Sequence, residues 1–169
     1  MFYYKISKYN PQNYDNGVYQ LDEWTDFSDI GKVFGDTIFS AQEYLKVEQN
    51  YISFVEKIMK ETYSYSVKIV DFEDYETTSW KNEQKISVAE TKLLIQDCLR
   101  NKCWCRIKGR DFCICFGFDF YIHLCCDIPY SCIEQICHEF FLFPVKMSSS
   151  LCKDQSVDKT EPIRGRFYD

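Results

Sequence analysis

Glycine and histidine are scarce in this sequence, at six and two among 169 residues. The glycines do not cluster, so no loop can wrap successive backbone N–H groups around a phosphate, and neither a nucleophile elbow nor an H-E-x-x-H pair is present. No run approaches the ~18 apolar residues that a membrane-spanning helix requires. The first ten residues lack a cationic region followed by an apolar run, so the chain is expected in the cytoplasm, neither exported nor membrane-embedded. Positive charge is also in deficit: 20 Lys plus Arg against 26 Asp plus Glu leave a net charge of −6. Phosphate neutralisation supplies most of the affinity for nucleic acids, which makes an acidic chain a poor nucleic-acid binder.

What the sequence does hold is aromatic side chains and thiols. Thirteen Tyr and fourteen Phe favour strands and supply amphipathic contact area. The length fits one domain that hides roughly 70% of its unfolded surface, so the fold needs neither disulfide nor metal. Ten cysteines are too dilute for a disulfide scaffold and read as thiols of a reducing compartment, packing as small hydrophobes. The acidity is lopsided. Residues 1–79 hold 14 Asp plus Glu against seven Lys and no Arg, whereas residues 80–169 are nearly neutral. A cationic partner is electrostatically favoured.

Alternation of Phe2, Tyr4 and Ile6 with Tyr3, Lys5 and Ser7 predicts an opening strand. Asn16-Gly17 predicts a turn, in a hairpin or a loop, and residues 22–31 predict a loop with about one helical turn. Ser40-Ala41-Gln42-Glu43 is a capping box leading a helix to about Lys60, with Ala41, Tyr44, Leu45, Tyr51, Ile52, Val55, Ile58 and Met59 inward. Residues 65–70 alternate as a strand that ends in the acidic run Asp71–Glu76. Further boxes at Ser87-x-x-Glu90 and Ser131-x-x-Glu134 predict a second helix and a third ending near Phe140. Between them, residues 103–107, 112–116 and 121–125 predict an antiparallel meander. The expected fold is α+β, about three helices on one face of a mainly antiparallel sheet, as a single domain over 1–152 with a polar tail or arm over 153–169.

Cys103, Cys105, Cys113 and Cys115 invite a four-thiolate zinc site, which strand parity can test. A two-residue turn at Gly109-Arg110 sets Arg106 opposite Cys113 and Trp104 opposite Cys115. Cys103 and Cys105 then share a face with Ile107, Phe112, Ile114 and Phe116, and Cys113 and Cys115 point the other way. The four thiols are split, and C-x-C is not the usual zinc-knuckle spacing. No metal and no cofactor are expected. Cys137 and His138, adjacent on a helix, point about 100° apart. A thiol-dependent hydrolase using Cys125 or Cys137 is the alternative function, although nothing supplies an orienting group or an oxyanion site. The expectation is therefore no catalysis.

Surface character remains. Asp22, Glu23, Asp26 and Asp29 surround Trp24 and Phe27. Carboxylates that steer and an aromatic that anchors suit protein recognition, and the competing reading tucks the aromatics into the core. Trp104 with Arg106, on the mixed face of the meander, forms a reserve site. With Tyr3-Tyr4-Lys5-Ile6, the Glu23-Trp24-Thr25 to Asp29-Ile30-Gly31-Lys32 segment and Glu43-Tyr44-Leu45, the chain resembles the small acidic immunity proteins of bacterial polymorphic-toxin and contact-dependent growth-inhibition systems. Residues 116–121 are consistent with it. The resemblance implies tight binding to one cognate toxin, often a nuclease, that presents a basic surface. A regulatory or scaffold subunit with no toxin involved is a further alternative.

Overall fold

Local capping and strand alternation place most of the secondary structure. In the computed structural model, which describes residues 1–148, the chain order begins with β1 (Phe2–Ser7), β2 (Tyr14–Asp15), β3 (Val18–Tyr19), β4 (Val33–Phe34) and β5 (Thr37–Ile38). It continues with α1 (Ala41–Glu61), β6 (Ser66–Asp74), β7 (Lys85–Ser87), α2 (Val88–Leu99), β8 (Cys103–Lys108), β9 (Phe112–Gly117), β10 (Tyr121–Cys126), α3 (Tyr130–Glu139) and β11 (Phe143–Lys146). The predicted tail or arm over 153–169 lies outside the described residues. No helix among them is long and apolar enough to cross a membrane.

Seven strands form one sheet in the order β11-β1-β10-β9-β8-β6-β7, and every pairing is antiparallel. Alternate sheet residues, including Ile6, Leu124, Ile114, Ile107 and Ile69, join Tyr51, Val55, Leu94, Ile95 and Ile133 of the helices in one buried cluster. The three helices thus cover one face of the sheet, the α+β architecture that the sequence predicts. Buried tyrosines tie the layers together through their hydroxyls. Tyr51 donates to the Phe120 carbonyl at 2.6 Å and Tyr4 to that of Ile128 at 2.8 Å.

The boxes at Ser40 and Ser87 form. Each serine Oγ accepts the N–H of Glu43 or Glu90, and each glutamate returns the bond to the serine N–H at 2.8 Å. The box at Ser131 does not form. Pro129 is the N-cap, its φ fixed at −67° by the ring, and its carbonyl accepts the N–H groups of Cys132 and Ile133. Ser131 therefore sits inside the first turn. On α1, Ala41 and Leu45 are exposed instead of inward. Glu48 is buried in their stead, for the reason given by its partner Arg100.

The meander differs from the sequence reading by one step. Lys108 pairs with Cys113 and Arg106 with Cys115, which makes Arg110-Asp111 the turn. Because each strand slips by a whole pairing step, parity is kept. Cys103 and Cys105 are buried, and Cys113 and Cys115 face the other way as predicted. Strand β6 runs on to Asp74 through an irregularity between Val70 and Glu73, so Asp71–Asp74 belong to the sheet and not to a loop. Strands β7 and β11 at the sheet edges have no counterpart in the sequence reading.

Candidate protein-binding surface

Between the end of β1 and the start of α1 the chain makes a long excursion, residues 8–40, without an α-helix. A connection of that length inside a compact domain calls for a function or for its own internal scaffold. Here it has the scaffold. Asn16 and Gly17, both at positive φ, turn the β2–β3 hairpin, and Gly35, at φ 58°, turns β4–β5. Gly31 N–H donates to the Phe39 carbonyl at 2.8 Å and Phe39 N–H to that of Lys32 at 2.9 Å, closing the second hairpin onto its stem.

Trp24 bolts the excursion to the domain. Its ring is 8% exposed, stacks on Phe39 at 4.5 Å and meets Phe120 edge-on at 4.9 Å. The Lys8 ammonium lies 4.3 Å from the Trp24 ring centre, 4.0 Å from that of Tyr9 and 3.4 Å from Glu23. Burial pulls the Lys8 ammonium down to about 8, against the opposing pull of the Glu23 carboxylate. Trp24 as an exposed anchor for a partner is thereby corrected. The rings of Phe39, Tyr44 and Phe120 that it meets come from other parts of the chain, and together they bury it.

The predicted steering carboxylates divide. Asp29 is buried and accepts hydrogen bonds from the Thr25 N–H at 2.9 Å, the Asp26 N–H at 3.1 Å and the Lys32 ammonium at 2.7 Å. Burial works against its charge, yet Lys32 and the two N–H groups hold its carboxyl below the ordinary range. Asp26 caps the single turn Phe27–Asp29 through the Ser28 N–H at 2.7 Å and also accepts from the Asn101 amide. Glu23 is half-buried against Lys8. Only Asp22 of the four is exposed. Asp29, Asp26 and Glu23 are engaged inside the loop, and Asp29 in particular is buried there.

What the excursion shows outward is different. Val33 and Ile38 are cross-strand partners, 62% and 66% exposed, and Val18 and Leu21 are exposed beside the other hairpin. Asp15, Asp22 and Asp36 are exposed among them. Over the excursion, residues 8–40, six acidic side chains stand against Lys8 and Lys32, a net −4. The sequence reading missed Val33 and Ile38 because a pair of strands two residues long has no periodicity to detect. The signal that was available is the turn pair Gly35-Asp36 between apolar residues.

Trp104 and Arg106 lie elsewhere, on the sheet face away from the helices. Trp104 donates its indole N–H to the Phe116 carbonyl at 2.7 Å, and Arg106 pairs with Asp71. Both are half-buried, and the structure does not bring them together with Trp24. Of the alternative nucleophiles, Cys137 is sealed from solvent, and burial pushes its thiol far up, which opposes thiolate formation. Cys125 is buried opposite Cys113, and burial with nearby Lys5 pulls the His123 imidazole down. Among the described residues no group of three or more His, Cys, Asp or Glu is placed to hold a metal ion. An open groove of about 690 Å³ runs along the second half of α1 between Val88 and Phe140. Charged side chains in it pair with neighbours, Glu56 with Lys92 and Lys57 with Glu61 and Glu139. The chain matches no protein-family model, no curated protein and no solved structure.

Proposed function

We propose that the chain is a non-catalytic binding protein of the immunity type, which neutralises a cognate toxin with a basic surface through the β1–α1 excursion. One observation carries this reading. A segment anchored by the buried Trp24 carries six acidic side chains against two lysines and also displays exposed aliphatic side chains on two short hairpins. Carboxylates raise the encounter rate with a cationic partner, and apolar side chains held ready lose little entropy on contact. The resemblance to immunity proteins through the same segment supports the identity of that partner. No cofactor takes part.

The test is co-expression with the candidate toxin encoded beside the gene. Cells should survive with the wild-type chain and die with the Val33→Asp/Ile38→Asp variant, which should keep its melting temperature because both positions are exposed. Survival with that variant and with an Asp15→Asn/Asp22→Asn/Asp36→Asn variant would place the interface elsewhere. Death with the wild-type chain would remove the immunity reading for that toxin.

A further inference from the structure

On the sheet face away from the helices, Cys113 of β9 and Cys125 of β10 stand directly opposite each other in the antiparallel register. Directly opposed residues of such a pair have Cα atoms about 4.5 or 5.5 Å apart. Both separations fall within the range of roughly 4.4–6.8 Å that a disulfide bridges. Their side chains share one face of the sheet, as a cross-strand bridge requires. The other described thiols lack this pairing. Cys98 lies 3.8 Å from Cys103 and 3.7 Å from Cys105, so its partner is ambiguous, and all three are buried where α2 packs on β8. Cys126 points into the core, and Cys115 is opposed by His123 and Arg106, not by a thiol.

We propose that Cys113 and Cys125 are a redox-modification site, forming a cross-strand disulfide by exchange with a low-molecular-weight disulfide of the glutathione type. Cys113, the more exposed of the two, attacks as thiolate. A bond forms between its sulfur and one sulfur of the small disulfide, and the other sulfur leaves as a thiolate. The Cys125 thiolate then attacks the Cys113 sulfur, expelling the second small thiolate. The two protein thiols lose two electrons and two protons, and two small thiols carry them away. The product closes the β9–β10 turn covalently, which restricts the unfolded chain and raises the melting temperature.

The full chain incubated with oxidised glutathione should lose two hydrogens in its intact mass without gaining an adduct. Proteolysis after alkylation should give one linked pair of peptides, containing Cys113 and Cys125. Cys125→Ser should stop at a glutathione adduct on Cys113, whereas Cys115→Ser should behave as wild type. A link to Cys115 or among Cys98, Cys103 and Cys105 would overturn the proposal, as would hydrogen loss that persists in Cys113→Ser. The wild-type peptide map decides the matter by itself if a serine variant fails to fold.

Discussion

Arg100 grips Glu48 with two hydrogen bonds, Nε to Oε2 at 2.8 Å and Nη2 to Oε1 at 2.7 Å, joining the end of α2 to the middle of α1. Glu48 is 1% exposed, and Gln96 adds a third donor at 3.3 Å. A bidentate, hydrogen-bonded geometry of this kind is what lets a buried carboxylate keep its charge. Arg100 also lies over the Phe27 ring at 5.6 Å, so the same pair braces the underside of the excursion.

Removing one partner should therefore cost more than removing both. Arg100→Ala strands a buried carboxylate and is expected to lower stability by about 3 kcal/mol. Glu48→Leu combined with Arg100→Met should recover most of that loss. Urea denaturation of the single and double variants measures it, and a double variant as unstable as the single one would show that the pair contributes net attraction of its own.

Trp24→Ala is expected to act on stability first. Deleting a ring packed between Phe39, Tyr44 and Phe120 leaves a cavity and should cost roughly 3–5 kcal/mol. Loss of ordered aromatic signals in near-ultraviolet circular dichroism should accompany it. Unchanged stability with weakened partner binding would restore Trp24 as a contact residue.

The fate of Trp24 marks where sequence reasoning stops. Capping at Ser40 and Ser87 was legible because donor and acceptor are three residues apart. The split of the four meander thiols was legible because a strand has period two. Trp24 is settled by Phe39 and Phe120, and no local pattern reports a contact between residues so far apart. Gly109 misled for a similar reason. It reads as a turn residue, but it is needed because the Phe112 ring occupies the space where its Cβ would stand. The roles of Asp26 and Asp29 as loop caps were hidden in a run that reads equally well as a solvated acidic surface.

Lys8 gives the excursion a dependence on pH. Its folded value of about 8 lies below the ordinary 10.5, so the unfolded chain holds more protons between those limits. Stability from this group is lowest below pH 8 and rises as pH climbs from 8 to 10.5, by about 3 kcal/mol. Buried thiols and tyrosines oppose it. Cys126, pushed up to about 11 from 9.0, and Tyr9 and Tyr44, raised from 10.0, contribute stability that is lost as pH rises above the ordinary values. Glu23, Tyr9, Trp24 and Asp29 are the groups around Lys8. The gap between wild type and Lys8→Met, followed by urea denaturation from pH 7 to pH 10, isolates the lysine. It should shift in favour of the wild type as pH rises, and a constant gap would show that Lys8 titrates normally.

If the excursion is the interface, its charges and its aliphatic side chains should separate in kinetics. Asp15, Asp22 and Asp36 are exposed, so their effect on a basic partner acts at long range. Replacing all three with Asn should slow association roughly tenfold at low salt and flatten its salt dependence, with dissociation little changed. Val33 and Ile38 act only on contact. Truncating both to Ala removes apolar area from the bound state and should speed dissociation by about tenfold, or ~1.4 kcal/mol, with association little changed. Both variants should melt with the wild type, since every altered side chain is exposed. Surface plasmon resonance against the purified toxin at two salt concentrations reads all of these terms. Equal shifts of both rates in both variants would mean that the segment changes shape on binding, and no shift in either would remove it from the interface.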